Sequence, residues 1–214
     1  MPFNIQRTQP VADGLYILNY RYVASYVLDA GDSLVAFDAG MNQKMTLAEM
    51  KRLNLDAARV RNVFFTHSDP DHVGGIKAFP NVKSHLSSAE VAMLDRTTPR
   101  FFGRVYSEPL PFEYETIEDG QEIVIGTANI KCLATPGHTS GSMSYLINDS
   151  ILVVGDEMNL KQGRAVLDFR LISIDNAKRK ESLIKLAHIN GVKLLCTAHS
   201  GFTDDFELAM NGWV

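Results

Sequence analysis

The chain has 214 residues, of which 45% are apolar and 21% charged, and its net charge is −4. This suits a single globular domain spanning residues 1–214, long enough to bury a sizeable core. With no basic run, nucleic acid and an anionic membrane surface are excluded as main partners. No apolar stretch approaches the roughly 20 residues that span a bilayer, and the opening MPFNIQRTQP carries neither the apolar segment nor the cleavage pattern of a secretory signal. The two cysteines, Cys132 and Cys196, lie far apart in apolar runs and read as buried free thiols. A cytoplasmic location is therefore expected.

In chain order, LYILN, SYVLDA and SLVAFDA read as short strands separated by turns at Asp13-Gly14 and Gly31-Asp32. Leu47, Met50 and Leu53 at helical spacing predict a helix over 45–53, with Thr46 as its cap. A buried strand at 62–65 runs into THSDPDHVGG, where Pro70 suits the first turn of a helix reaching about Phe79. VKSHL and SSAEVAMLDR form a further strand–helix pair, and 97–112 is irregular, with three prolines. Strands are expected near 114–117, 121–125, 128–133, 142–147 and 151–154. A helix at 176–189, a strand at 193–197 and a helix at 204–211 complete the pattern. Two batches of strands and helices in similar order suggest two mixed sheets packed together with helices outside, a layered α/β–β/α sandwich.

The densest chemical signal is His67-Ser68-Asp69-Pro70-Asp71-His72, four metal-competent side chains in six residues. A capped turn would account for the Asp and Ser residues. It would not account for two imidazoles beside two carboxylates, which together form a mixed nitrogen and oxygen donor set. His138 in TPGHTSGS, Asp156 after ILVVG and His199 after KLLCTA each sit where an apolar strand ends. One edge of a sheet sandwich can gather such positions, and loops on a rigid scaffold are where sites are usually built. Four of the six histidines fall in these contexts; His85 reads as a strand residue and His188 as a helix-face residue, outside the site.

The ordered set HxDxDH…H…D…H, within THxDxDHxGG, TPGHTxGS, GD and HxG, closely resembles the metallo-β-lactamase superfamily from about Leu15 to Phe206. The resemblance implies a four-layer αβ/βα sandwich and two divalent metal ions. His67, Asp69 and His138 would hold one ion, Asp71, His72 and His199 the other, and Asp156 would bridge them. Asp38 in FDAG matches a strand-end aspartate often found near such sites, although hydrogen bonding within a turn explains it equally well. His72 together with a bridging-type Asp156 is similar to the glyoxalase II, lactonase and flavodiiron side of the superfamily. Asp69 departs from the histidine usual in the hydrolases, and flavodiiron proteins carry a glutamate there.

Three carboxylates and one bridging hydroxide would neutralise the four positive charges of two divalent ions. Oxygen-rich ligation of this kind favours harder metals. Iron and manganese thus stand beside zinc.

The resemblance implies a metallo-hydrolase in which metal-bound hydroxide attacks an ester, thioester, lactone or phosphoester of a small molecule, with Asp71 orienting the nucleophile. The irregular 97–112 stretch, with Arg100, Phe101, Phe102 and Tyr106, and the basic Lys161, Arg164 and Arg170 are candidate substrate contacts. The alternative is a di-iron oxygen-binding, redox or sensor protein of flavodiiron type. Lacking its own flavin domain, it would depend on a separate reductase. Homo-oligomer formation stays open.

Overall fold

The computed structural model describes residues 5–12, 14–94, 110, 112–168 and 170–214. Strands β1 (Gln9–Ala12), β2 (Leu15–Asn19), β3 (Ala24–Asp29) and β4 (Leu34–Phe37) pair antiparallel in sequence. The helix α1 (Gln43–Arg52) then carries the chain to β5 (Val60–Phe64), which lies parallel to β4. The short helix α2 (Pro70–Val73), β6 (Lys83–Ser87), α3 (Ser88–Leu94) and β7 (Glu115–Ile117) follow. β6 and β7 continue the parallel half, so the first sheet is mixed, in the order β1 to β7.

The second sheet starts with the antiparallel run β8 (Glu122–Ile125), β9 (Ala128–Ala134), β10 (Met143–Ile147) and β11 (Ile151–Val153). A two-stranded hairpin, β12 (Asn159–Lys161) and β13 (Arg164–Val166), and the helix α4 (Asn176–Ala187) intervene. β14 (Leu194–Thr197) then joins β11 in parallel, β15 (Gly201–Thr203) lies at the edge, and α5 (Phe206–Met210) follows. The expected strands at 114–117 and 121–125 thus belong to different sheets, and the chain crosses between layers after Ile117.

Period-two alternation sorts the strand residues into layers. Leu15, Ile17, Tyr26, Val35, Phe37 and Phe64 face the second sheet's Ile130, Cys132, Tyr145 and Cys196. Leu18, Val27, Leu34 and Val63 face the other way, toward Met50, Ile76 and Phe79. On the far side, Leu146, Leu152 and Leu195 pack against Leu183 and Leu186 of α4 and Phe206 and Met210 of α5. The order is helix, sheet, sheet, helix, as the four-layer expectation required. Both cysteines are buried free thiols, and no helix among the described residues is long and apolar enough to cross a membrane.

Three expectations change. The α1 cap is Asn42, whose side chain accepts from Met45 N, rather than Thr46. Thr46 lies one turn inside, buried, donating its hydroxyl to Ala39 O at 2.6 Å and so tying the helix to the loop after β4. The helix from Pro70 stops at Val73 and resumes as a 3₁₀ turn at Ile76–Ala78. A Cβ at Gly75 would stand 1.9 Å from Ala39 O, so the glycine lets this segment press against the β4 loop at the cost of helical continuity. Finally, the short strands β1, β12, β13 and β15 were not expected.

Candidate metal centre

The site forms along one edge of the sandwich, beyond the carboxyl ends of β4, β5, β11 and β14. Side-chain and main-chain bonds tie the two sheets together there. Tyr145 donates its hydroxyl to Phe65 O at 2.6 Å, Met143 N donates to Thr66 O at 2.8 Å, and Ala24 N to Ala198 O at 2.8 Å. Segments distant in sequence are thereby held at fixed separation before any ligand is considered.

The structure brings all seven expected ligands together. His67, Asp69 and His138 form one group of converging donor atoms, and Asp71, His72 and His199 form another. In the first group, Asp69 Oδ2 lies 3.4 Å from His67 Nε2 and 3.3 Å from His138 Nε2. In the second, Asp71 Oδ2 lies 3.8 Å from His72 Nε2 and 3.7 Å from His199 Nε2. Asp156 stands between them. Its Oδ2 is 3.4 Å from His138 Nε2, while its Oδ1 is 3.2 Å from His72 Nε2 and 3.1 Å from His199 Nε2.

These residues suit a metal on two grounds. Donors about 2.0–2.1 Å from one tetrahedral ion lie roughly 3.3 Å apart, close to the separations in the first group. Moreover, His67 Nε2, His72 Nε2 and Asp156 Oδ1 are buried without a hydrogen-bond partner. Buried polar atoms are otherwise almost always satisfied. The three residues also group together, a donor set that fits a cation.

Each imidazole is oriented through its other nitrogen, as metal-binding histidines generally are. His72 Nδ1 lies 2.8 Å from Asp38 Oδ2, His67 Nδ1 3.0 Å from Thr66 Oγ1, and His138 Nδ1 3.3 Å from Ser173 Oγ. His199 Nδ1 bonds to Tyr22 O. Asp38, at φ 61, also accepts from Thr66 N and Thr66 Oγ1, so its orienting role and its turn hydrogen bonding are both present.

Electrostatics separate the histidines. Burial lowers the His72 pKa, but the carboxylates of Asp38 and Asp156 outweigh it and hold the ring well above its ordinary value. Burial opposes ionisation of Asp156 as well, yet His199, His72 and His138 carry it well below the usual carboxylate range. His138 is dominated by burial and falls to about 4.

Buried ionisable side chains escaped the sequence reading, and two of them, Glu90 and Arg179, grip the loops of the site. Glu90 on α3 accepts from Ser68 N, Ser68 Oγ and Thr139 Oγ1, at 2.8, 2.6 and 2.7 Å. Arg179 on α4 donates to Asp156 O at 2.5 Å and Glu157 O at 2.7 Å, and to Ser173 Oγ at 3.0 Å. Each lies on its helix's buried stripe, Glu90 with Met93 and Leu94, Arg179 with Ser182, Leu183 and Leu186. A charge at i with buried partners at i+3 and i+4 was the available signal.

His85 and His188 stand apart. His85 stacks on Phe64 and pairs with Asn62, while His188 ends α4 and bonds to Ile184 O. Lys161 is exposed on β12, whose partner strand β13 accepts a hydrogen bond from Trp213 Nε1 at Ala165 O. Arg100, Phe101, Phe102 and Tyr106 lie outside the described residues.

The family model of the metallo-β-lactamase superfamily matches residues 18–199, and the chain belongs to that superfamily. It is 26% identical over 197 residues to a hydroxyacylglutathione hydrolase of Shewanella sp. (strain ANA-3), covering 89% of this chain and 66% of that protein. It is 27% identical over 141 residues to the probable polyketide biosynthesis zinc-dependent hydrolase PksB of Bacillus subtilis (strain 168), covering 62% and 52%. The chain spans about half to two thirds of the length of the curated relatives it matches. Among solved structures, a B3 metallo-β-lactamase with an active-site glutamic acid superposes with a TM-score of 0.72 at 18% identity. That superposition covers 99% of this chain and 87% of the other, and at this identity it speaks for the fold alone.

Proposed function

We propose that this chain is a metal-dependent hydrolase of a small-molecule ester, thioester, lactone or phosphoester, with a dinuclear centre. The observation carrying this reading is the convergence of seven donors, three of whose atoms are buried and unsatisfied. Hydrolases among the sequence relatives support it, one of them described as zinc-dependent. Zinc, iron and manganese all suit the donor set. When bound, such ions polarise the scissile group and acidify water.

The chain's own residues divide the remaining work. Asp156 sets the spacing of the two halves through its two oxygens, and Arg179 fixes its backbone. The side chain of Asp71 is 36% exposed, against 18% for Asp69 and 6% for Asp156, so its carboxylate is the one open to substrate. From there it would align the attacking water and take its proton.

The test is metal content of protein purified anaerobically from a metal-unbiased culture, followed by assay on ester, thioester, lactone and phosphoester panels. About two ions per chain, with turnover abolished by chelation and restored by metal, would bear the reading out. No metal uptake would end it.

Asp69 favours a second reading, a di-iron oxygen-binding or redox protein served by a separate reductase. Its carboxylate gives the first group two imidazoles and one carboxylate, a donor set suited to iron. Two irons per chain, a new absorbance band on exposure to oxygen and no hydrolysis would select it.

A further inference from the structure

The loops carrying His67, Asp69 and His138 come from different sheets, and a single buried side chain grips both. Glu90 is fully buried on α3. Its Oε1 accepts from the amide and hydroxyl of Ser68, the residue between His67 and Asp69. Its Oε2 accepts from the hydroxyl of Thr139, the residue after His138. A carboxylate taken out of water is costly unless such donors surround it, so the three bonds act together and fix the two loops relative to each other.

The packing around it is equally specific. A Cβ at Gly141 would stand 2.1 Å from Glu90 N, so glycine is what allows the Thr139–Ser142 turn to lie against α3. Thr139 N donates to Ser142 Oγ at 3.0 Å, and the two hydroxyls lie 2.8 Å apart, closing that turn. The other half of the centre is held differently, His72 by Asp38 and His199 by Tyr22 O.

From this asymmetry we propose that Glu90 is a positioning residue for the His67–Asp69–His138 half of the centre and not for the Asp71–His72–His199 half. The proposal rests on the reading that these residues hold two metal ions. Glu90 bonds to Ser68 and Thr139 and not to the donor side chains themselves; through them it sets the separation on which simultaneous ligation by three donors depends.

Metal-depleted full-length protein is titrated with cobalt(II), following the visible absorption of the bound ion against a competing chelator. The two binding steps are assigned with His138→Ala and His199→Ala. In Glu90→Ala the step removed by His138→Ala is expected to weaken about 10- to 100-fold, the range usual for lost outer-shell partners, while the other step stays within ~2-fold. Glu90→Gln is expected to stay within ~3-fold at both steps, because its amide oxygen still accepts from Ser68 and its NH₂ can donate to Thr139 Oγ1. Thr139→Val, which cuts one of the three bonds, should weaken the same step several-fold and carries the test if Glu90→Ala does not fold. Equal weakening of both steps, or of neither, in the folded variants would overturn the role of Glu90 while leaving the metal reading intact. Parent protein taking up fewer than two cobalt ions would overturn the metal reading, and this proposal with it.

Discussion

Asp38 Oδ2 lies 2.8 Å from His72 Nδ1, with both side chains buried and Asp38 at a positive φ. A carboxylate there keeps a proton on Nδ1, so that Nε2, the atom facing Asp156, is the nitrogen a metal ion would take in exchange for a proton. Asn tolerates the same backbone conformation. In Asp38→Asn the oxygen that serves Thr66 N can remain, but an NH₂ would then face His72 and drive its proton to Nε2. Metal affinity is expected to fall about 10- to 100-fold, and the melting temperature of metal-free protein to fall as well, because a buried charge pair loses one partner. Chelator competition together with thermal melts checks this, and unchanged affinity would remove Asp38 from the centre's support.

Asp71 is the ligand candidate most open to solvent, 3.7–3.8 Å from two imidazole nitrogens. Its replacement by Asn preserves shape and removes both the negative charge and the basicity. If Asp71 orients and deprotonates the attacking water, kcat should drop about 10²- to 10⁴-fold. Metal analysis of the same sample must accompany the rate, since lost metal would mimic lost base. Full turnover with the parent's metal content would eliminate the role.

The convergence of the donors was legible because each follows an apolar strand, and strand ends on one edge of a sandwich lie close together. Thr66–His67 after β5, Asp156 after β11 and His199 after β14 follow that rule. What was not legible shares another cause. Glu90 and Arg179 sit on helix stripes that hint at burial, but the partners that hold them, Thr139 and Asp156 among them, lie far away in sequence and no local pattern names them. The two hairpin strands β12 and β13, NLK and RAV, carry no apolar run, unlike the equally short β11, ILV. The break at Gly74-Gly75 depends on the approach of Ala39 O, a tertiary contact that overrides the helical spacing around it.

Asp69 gives the centre a third carboxylate where the hydrolases usually carry histidine, and with it one more negative charge. Harder and more oxidised ions gain most from that charge. Asp69→His should therefore lower the iron-plus-manganese to zinc ratio in protein grown in the same mixed-metal medium, by about 3-fold or more. The position is partly exposed, at 18%, which leaves room for the larger ring. Elemental analysis of parent and variant side by side decides it; identical ratios would show that position 69 does not govern metal choice.

His85, outside the centre, concerns stability rather than metal. His85 is buried, stacked on Phe64 at 4.3 Å and 3.0 Å from Asn62 Oδ1, so its neutral ring donates Nε2–H to that oxygen. Burial, then the nearby Lys83, pushes its pKa from 6.5 to about 4, with Glu115 opposing. The folded value lies below the unfolded one, so between those values the unfolded chain binds more protons and stability rises with pH. The contribution is complete above pH 6.5 and is lost as pH falls toward 4. Discounted for partial solvent access, it amounts to about 1–2 kcal/mol, or ~3–6 °C in a domain of this size. His85→Gln keeps an amide donor toward Asn62 but cannot titrate. Its melting temperature, relative to the parent's, should therefore rise by that amount between pH 7 and pH 4.5. Taking the difference cancels the titration of the metal-site histidines common to both proteins. Parallel pH profiles would mean that the folded ring takes up its proton as readily as the unfolded one, and that burial against Phe64 does not hold it neutral.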